Sequence, residues 1–156
     1  MSTVQFRQAD KTDIPAMARI RIEGEGGGAS EERMARYLDG EHHPQQALRP
    51  RVAYVALDGE ALLGYIAGHL TRRYGCDGEL QWIYVVPEYR GSGVASELLC
   101  LLARWFVTQS ASRVCVDHDP ANRVARRFYT RHGAAHLNEH WLAWTDIKVA
   151  LEVDLR

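Results

Sequence analysis

Between Glu79 and Thr108 the chain changes character three times, and that order limits what it can fold into. Glu79 to Val86 is rich in aromatic and β-branched residues, the composition of a strand, and Pro87 stops it because proline cannot donate to a sheet ladder. Arg90-Gly91-Ser92-Gly93 follows. Glycines reach backbone angles that other residues avoid, so successive N–H groups there can converge. Gly93 to Thr108 then repeats Val94, Leu98, Leu101, Leu102 and Trp105 at helical spacing. Strand, glycine turn and helix N-terminus together bring unpaired amides and the positive end of a helix dipole to one point. That is an anion site, and a pyrophosphate suits it.

The other segments supply the rest of an α/β pattern. Thr3 to Arg7 alternates as a short strand, Asp13 can cap a helix that dies in Gly24-Glu25-Gly26-Gly27-Gly28, and a second helix runs from Ser30 to Gly40. His42-His43-Pro44 is a loop. Arg51 to Leu57 and Ala61 to Leu70 read as strands joined by the tight turn Asp58-Gly59. Arg113 to Val116 is a short buried strand, and Ala121 to His132 a helix ended by Gly133. Two closing strands are expected around His136 to Trp144 and Ile147 to Leu155. No repeat or linker divides the 156 residues, so one domain spanning 1–156 is expected.

Composition excludes several classes. A net charge of −1 is no footprint for nucleic acid or an anionic membrane. No apolar run reaches membrane-spanning length, and the N-terminus lacks a signal-peptide pattern. The three cysteines form no C-x-x-C pair; Cys100 and Cys115 sit in apolar runs as small hydrophobes. A reduced, cytoplasmic protein without a metal site is expected. His132, His136 and His140 recur at i, i+4 spacing, but Gly133 ends the helix that would align them.

Arg90-Gly91-Ser92-Gly93-Val94-Ala95, after a strand ending Val-Val-Pro-Glu-Tyr, resembles the Arg/Gln-x-x-Gly-x-Gly/Ala signature of the GNAT superfamily of acetyl-CoA-dependent N-acetyltransferases. Asn122 and then Ala125-Arg126-Arg127-Phe128-Tyr129-Thr130-Arg131-His132-Gly133 resemble that family's second signature, Asn-x-x-Ala-x-x-Phe-Tyr-x-x-x-Gly. The resemblance implies a mixed, mostly antiparallel sheet of about seven strands with helices on both faces. It also implies a V-shaped opening between two central parallel strands, into which the pantetheine arm of acetyl-CoA docks as an added strand. The implied donor site is Tyr84, Val85, Val86, Arg90, Gly91, Ser92, Gly93, Val94, Ala95 and Asn122, with the Val85 N–H stabilising the thioester oxyanion.

The implied reaction is direct attack by a primary amine on the thioester, with no acyl-enzyme. An alkyl ammonium titrates near ~10, so a proton must leave it. Tyr129 matches the family's tyrosine that protonates the departing thiolate. Glu79 lies where one branch of the family keeps a glutamate base; Asp117 and His118 lie at the end of the other splayed strand, and His118 or a water chain is the alternative base. Glu79, Glu23 and Glu25 together suggest a cationic acceptor, with Glu23 to Gly28 as a lid and Trp82 and Tyr84 lining the acceptor pocket. The acceptor is a small-molecule or peptide amine, and a homodimer is left open. The rival readings are a domain that senses acyl-CoA without turnover and an RNA-binding protein using Arg126, Arg127 and Arg131.

Overall fold

The computed structural model describes residues 3–25, 28–41 and 47–152. Along the chain come β1 (Gln5–Gln8), α1 (Ile14–Glu25), α2 (Glu31–Leu38), β2 (Ala47–Asp58), β3 (Ala61–Thr71), β4 (Gly78–Val85), α3 (Val94–Thr108), β5 (Val114–Asp117), α4 (Arg123–Arg131), β6 (Ala135–Asn138), β7 (Trp141–Trp144) and α5 (Val149–Glu152). The strands form one sheet in the order β1-β2-β3-β4-β5-β7-β6. Every neighbouring pair is antiparallel except β4 with β5. This is the expected mixed sheet with a parallel pair at its centre.

Alternation along the strands feeds two separate cores. On one face Leu63, Ile66, Leu80 and Val85 pack with Val94, Leu98, Leu102 and Phe106 of α3. On the other, Leu62, Tyr65, Ala67 and Tyr84 pack with Ile14, Met17 and Ala18 of α1 and Met34 and Tyr37 of α2. β3 is covered on both faces, which is why Ala61 to Leu70 reads as a nearly continuous apolar run. Leu98, Leu102 and Phe106 are fully buried, each worth roughly 1.5–3 kcal/mol, and they fix α3 and its glycine turn against β4.

Two expectations need correction. Asp10, not Asp13, caps the first helical segment. Asp13 closes the capping box by accepting from the Asp10 N–H, and it holds Arg7 in a bidentate pair at 2.7 and 2.8 Å. The second concerns the chain's end. The hairpin β6–β7 takes both strands from 135–144, and Val149–Glu152 is a short helix rather than part of a closing strand. Ile147 and Ala150 are the buried positions, a helical spacing that the alternation of Ile147, Val149 and Leu151 disguised. Residues 153–156 and the His42-His43-Pro44 loop lie outside the described residues.

Candidate functional site

The parallel pair holds together only at its foot. Gly78, Glu79 and Leu80 pair with Val114, Cys115 and Val116, and from Gln81 onward β4 has no partner on that side among the described residues. The β3–β4 register shifts at the same place: Gly68 faces Leu80 and Ala67 faces Trp82, which leaves Gln81 as a bulge. A bulge bends and twists its strand, so it turns β4 away from β5 where the pairing ends. β5 meanwhile stays with β7, and His118 N–H continues that ladder to the His140 carbonyl at 2.8 Å. A V-shaped gap results. The Val86 N–H donates to Leu63 in β3 at 2.8 Å. By strand alternation the N–H groups of Ile83 and Val85 therefore face the gap.

At the wide end of the gap stands the glycine turn. Gly91 and Gly93 have φ of +79° and +92°, which side-chain-bearing residues rarely adopt, and a Cβ at either would meet nothing within 4 Å. The N–H groups of Gly91 through Ser96 find no backbone acceptor among the described residues. An open cradle of amides at a helix N-terminus can take a phosphate. Val94 and Ala95 form the first turn of α3. The Ser92 hydroxyl donates to the Tyr89 carbonyl. Arg90 folds back over the strand end: its Nε donates to the Val85 carbonyl at 3.0 Å, and its guanidinium lies 5.5 Å from the Tyr84 ring centre. The Val86 amide is taken up by β3, so of the expected contacts on β4 it is Val85 that keeps an N–H on the gap side.

Tyr129 comes from α4 and is 6% exposed. Its ring meets Trp144 edge-on, and its hydroxyl makes no hydrogen bond within the described protein. Burial pushes the phenol up to about 12, with the Asp117 charge adding to the rise and the Arg21 charge opposing it. Asn122 is the N-cap of α4: its side-chain oxygen accepts from the Ala125 N–H at 3.1 Å. His132, at the end of α4, ties three elements together. It bonds the Phe128 carbonyl through Nδ1 and the Ser96 hydroxyl through Nε2, and its own carbonyl accepts from the Trp144 indole.

Glu79 lies at the foot of the V and is 5% exposed. Its Oε1 accepts from Arg73 Nε at 3.2 Å and lies 3.5 Å from His69 Nε2. His69 is in turn 2.6 Å from the Tyr37 hydroxyl through Nδ1, and Arg73 stacks over Trp141. A carboxylate so enclosed is poorly placed to meet an incoming amine. Asp117, at the end of β5, is exposed. Burial of its surroundings raises its pKa, His140 pulls the other way, and the Glu79 charge raises it further. His118 is buried with Nδ1 unpartnered. The carboxylates that suggested a cationic acceptor already have cations nearby: Glu79 has Arg73, and Glu23 has Arg19 at 4.0 Å.

Sequence reasoning missed Arg21, Tyr37, His69 and Arg73. His69 carried a signal, a lone ionisable residue inside the apolar run of β3. The three cysteines are buried and free, and among the described residues no group of His, Cys, Asp or Glu is arranged to hold a metal ion. No helix of the described residues is long and apolar enough to cross a membrane. A cavity lined by Leu70, Thr71, Cys76, Asp77 and Gln109 opens where β3 ends and β4 begins, away from the gap.

Comparison with known proteins follows the same geometry. The family model described as Acetyltransferase (GNAT) family matches residues 15–134. An aminoglycoside N(6')-acetyltransferase type 1 from Salmonella enteritidis is 24% identical over 132 residues, covering 81% of this chain and 88% of that protein. The structure of AAC(6')-Iy in complex with a bisubstrate analog, CoA-S-monomethyl-acetylneamine, superposes with a TM-score of 0.72 at 20% identity, over 88% of this chain and 94% of that one. The ribosomal-protein-S18-alanine N-acetyltransferase from Escherichia coli does so with a TM-score of 0.72 at 15% identity, over 91% and 93%. At these identities the solved structures share the fold.

Proposed function

The chain belongs to the GNAT acetyltransferase family and is an N-acetyltransferase, and from that premise we propose that it moves an acetyl group from acetyl-CoA to a primary amine inside the gap between β4 and β5. The observation that carries this reading is the loss of β4–β5 pairing after Leu80. It leaves an unpaired strand edge leading to a cradle of unpaired amides at the N-terminus of α3, with the Tyr129 side chain close to Asp117 at the end of β5. An extended pantetheine arm fits the edge, and a pyrophosphate fits the cradle.

In this reading the amine nitrogen attacks the acetyl carbonyl carbon, the carbonyl oxygen gains negative charge, and the carbon–sulfur bond breaks. The Val85 N–H donates to the oxyanion. Tyr129 faces the departing sulfur. Full proton transfer from a phenol at about 12 to a thiolate whose acid titrates near ~8.5 would be uphill by roughly 5 kcal/mol. Tyr129 therefore keeps its proton and donates a hydrogen bond as charge develops on sulfur. Asp117, exposed at the end of β5 where Glu79 is enclosed, accepts a hydrogen bond from the ammonium and relays its proton to solvent, and the second N–H proton, released as the carbon–sulfur bond breaks, ends on the departing thiolate. Glu79 holds Arg73 and His69 at the foot of the gap.

Three free, buried thiols suit a reducing compartment, and we place the protein in the cytoplasm. The test of the function is an acceptor screen with acetyl-CoA and detection of released thiol. It includes aminoglycosides because of the relatives above, and peptides and amino acids alongside them. Acetyl-CoA binding without thiol release from any amine would favour an acyl-CoA sensor.

A further inference from the structure

On the face of β3 and β4 that packs against α1, three buried polar atoms have no hydrogen-bond partner among the described residues: the Nε of Arg21 and the hydroxyls of Tyr65 and Tyr84. Tyr65 is 0% exposed and Tyr84 5%. Nearly all buried polar groups in folded proteins are paired, so three orphans in one place call for a reason. They form a group. The two rings lie 6.3 Å apart, and the Arg21 guanidinium lies 5.8 Å from the centre of the Tyr84 ring. Burial raises the Tyr65 hydroxyl to about 12, and Arg21 opposes that rise through its charge and through a side-chain approach that falls short of an ordinary hydrogen bond. Tyr84 reaches this position because Gly24 has no Cβ; one there would collide with the Tyr84 hydroxyl.

The chemistry of the group is one-sided. Arginine only donates, and both phenols can donate as well as accept, so an acceptor is the one kind of partner that satisfies all three atoms. Two guanidiniums, of Arg21 and Arg90, flank the Tyr84 ring, which favours an anion. A carboxylate offers oxygens enough to meet a guanidinium and two hydroxyls at once. The group also adjoins the reaction centre. Tyr84 precedes Val85 in β4, and the Arg21 charge is felt at the Tyr129 hydroxyl. It lies on the α1–α2 face, opposite the core that seats α3 and its glycine turn, and so away from the phosphate cradle.

We propose that Arg21 and the Tyr65 and Tyr84 hydroxyls bind a carboxylate carried by the acceptor next to its reacting amine, so that the acceptors are α-amino acids. This rests on the acetyltransferase reading, and the two can fail separately. The probes are L-amino acids, the matching amino acid amides, and kanamycin, each with acetyl-CoA and thiol detection. For the wild type, kcat/KM for a free amino acid exceeds that for its amide by roughly 30-fold, the size of one charge-assisted hydrogen bond. Arg21→Gln removes that preference and raises the acceptor KM while the acetyl-CoA KM stays put; Arg21→Lys restores part of it. Tyr84→Phe, which removes one hydroxyl and little else, lowers the preference by a smaller factor and covers the case of a poorly folding Arg21 variant. Equal rates for acid and amide, or turnover of kanamycin alone, overturn the carboxylate subsite and leave the acetyltransferase intact. A rise in acetyl-CoA KM equal to that of the acceptor also overturns it, because the group would then serve the donor. Failure of acetyl-CoA to bind at all removes the reading beneath it.

Discussion

The two ends of the β4–β5 gap are built from different materials. At the wide end the structure presents backbone: amides from Gly91 to Ser96, a strand edge at Ile83 and Val85, and two glycines with positive φ. At the foot it presents side chains drawn from distant segments. Tyr37 meets His69, and His69 and Arg73 both meet Glu79, brought together by α2, β3, the β3–β4 turn and β4. A backbone site tolerates most side-chain changes but no change in chain direction. A side-chain network is the reverse, since removing one buried member leaves the others unpaired. Substitutions at the two ends should therefore fail in different ways: binding is lost at one, stability at the other.

The largest effect is expected at the wide end. Gly93→Glu forces a side chain onto a φ of +92° and puts a carboxylate beside the cradle, although nothing in the protein itself obstructs it. Acetyl-CoA affinity should fall roughly a thousandfold, because like charges across a binding surface cost several kcal/mol. The rise in melting temperature that acetyl-CoA gives the wild type should vanish. Unchanged affinity would move the phosphate site elsewhere and erase the contrast between the two ends.

At the foot, Glu79→Gln leaves Arg73 and His69 facing a neutral amide. Breaking a buried pair on one side costs about 3 kcal/mol, which for a domain of this size lowers the melting temperature by roughly 6–12 °C. Acetyl-CoA affinity should hardly change. The partner measurement is Asp117→Asn, which should keep the melting temperature and lose rate. With a saturating amine, the acid limb of the wild-type pH–rate profile should lie above the ordinary aspartate range, since the Asp117 pKa is raised, and Asp117→Asn should abolish that limb. If Glu79→Gln abolishes it while leaving stability alone, Glu79 is the base after all and the foot is catalytic rather than structural.

Tyr129 belongs to neither material, a single buried side chain that the proposed mechanism sets against the departing sulfur. Tyr129→Phe removes one hydroxyl that bonds nothing in the described protein, so folding and acetyl-CoA binding should survive. Turnover should fall about 10²-fold, the usual loss when a donor to a leaving group is removed. Stopped-flow thiol release at saturating substrates measures it; a full-speed Phe variant would return Tyr129 to the core.

Legibility followed the same division. Glycine turns and helix starts obey local rules, so Arg90 to Ala95 and Asn122 to Gly133 could be read along the chain, and most of the fold with them. The foot could not. Nothing near Glu79 in sequence announces Tyr37 or His69, and strand alternation is interrupted at Gln81 by a bulge that only pairing reveals. Asn122 shows the limit from the other side. Its capping bond to Ala125 is a local effect that the sequence supports, and it accounts for the residue without any ligand. At the chain's end Ile147, Val149 and Leu151 satisfy a period of two and so read as a strand, whereas the buried pair Ile147 and Ala150 obeys a helical one.

The smallest predicted effect tests the one place where the wide end leans on a buried side chain. His132 bonds Ser96 in the first turn of α3 and the carbonyl of Phe128, and burial lowers its pKa below the ordinary histidine value, with Arg131 adding to that and the Phe128 bond opposing it. The folded protein thus holds His132 neutral where the unfolded chain would protonate it. Above the unfolded value near ~6.5 both states carry the same charge, and His132 contributes nothing to pH dependence. As pH falls through that value the unfolded state takes up a proton that the folded state refuses, so stability drops, by at most about 1.4 kcal/mol per pH unit, until the folded pKa is reached. Urea unfolding at pH 8, 7, 6 and 5 measures the slope. His132→Gln should lower stability at pH 8 by about 1 kcal/mol through the weakened bonds, and should flatten the decline between pH 7 and 5 relative to wild type. Taking the difference between the two proteins removes the other histidines, which titrate in both. Parallel curves would mean that His132 is protonated in place, and then the junction of α3 with α4 would not depend on its neutral form.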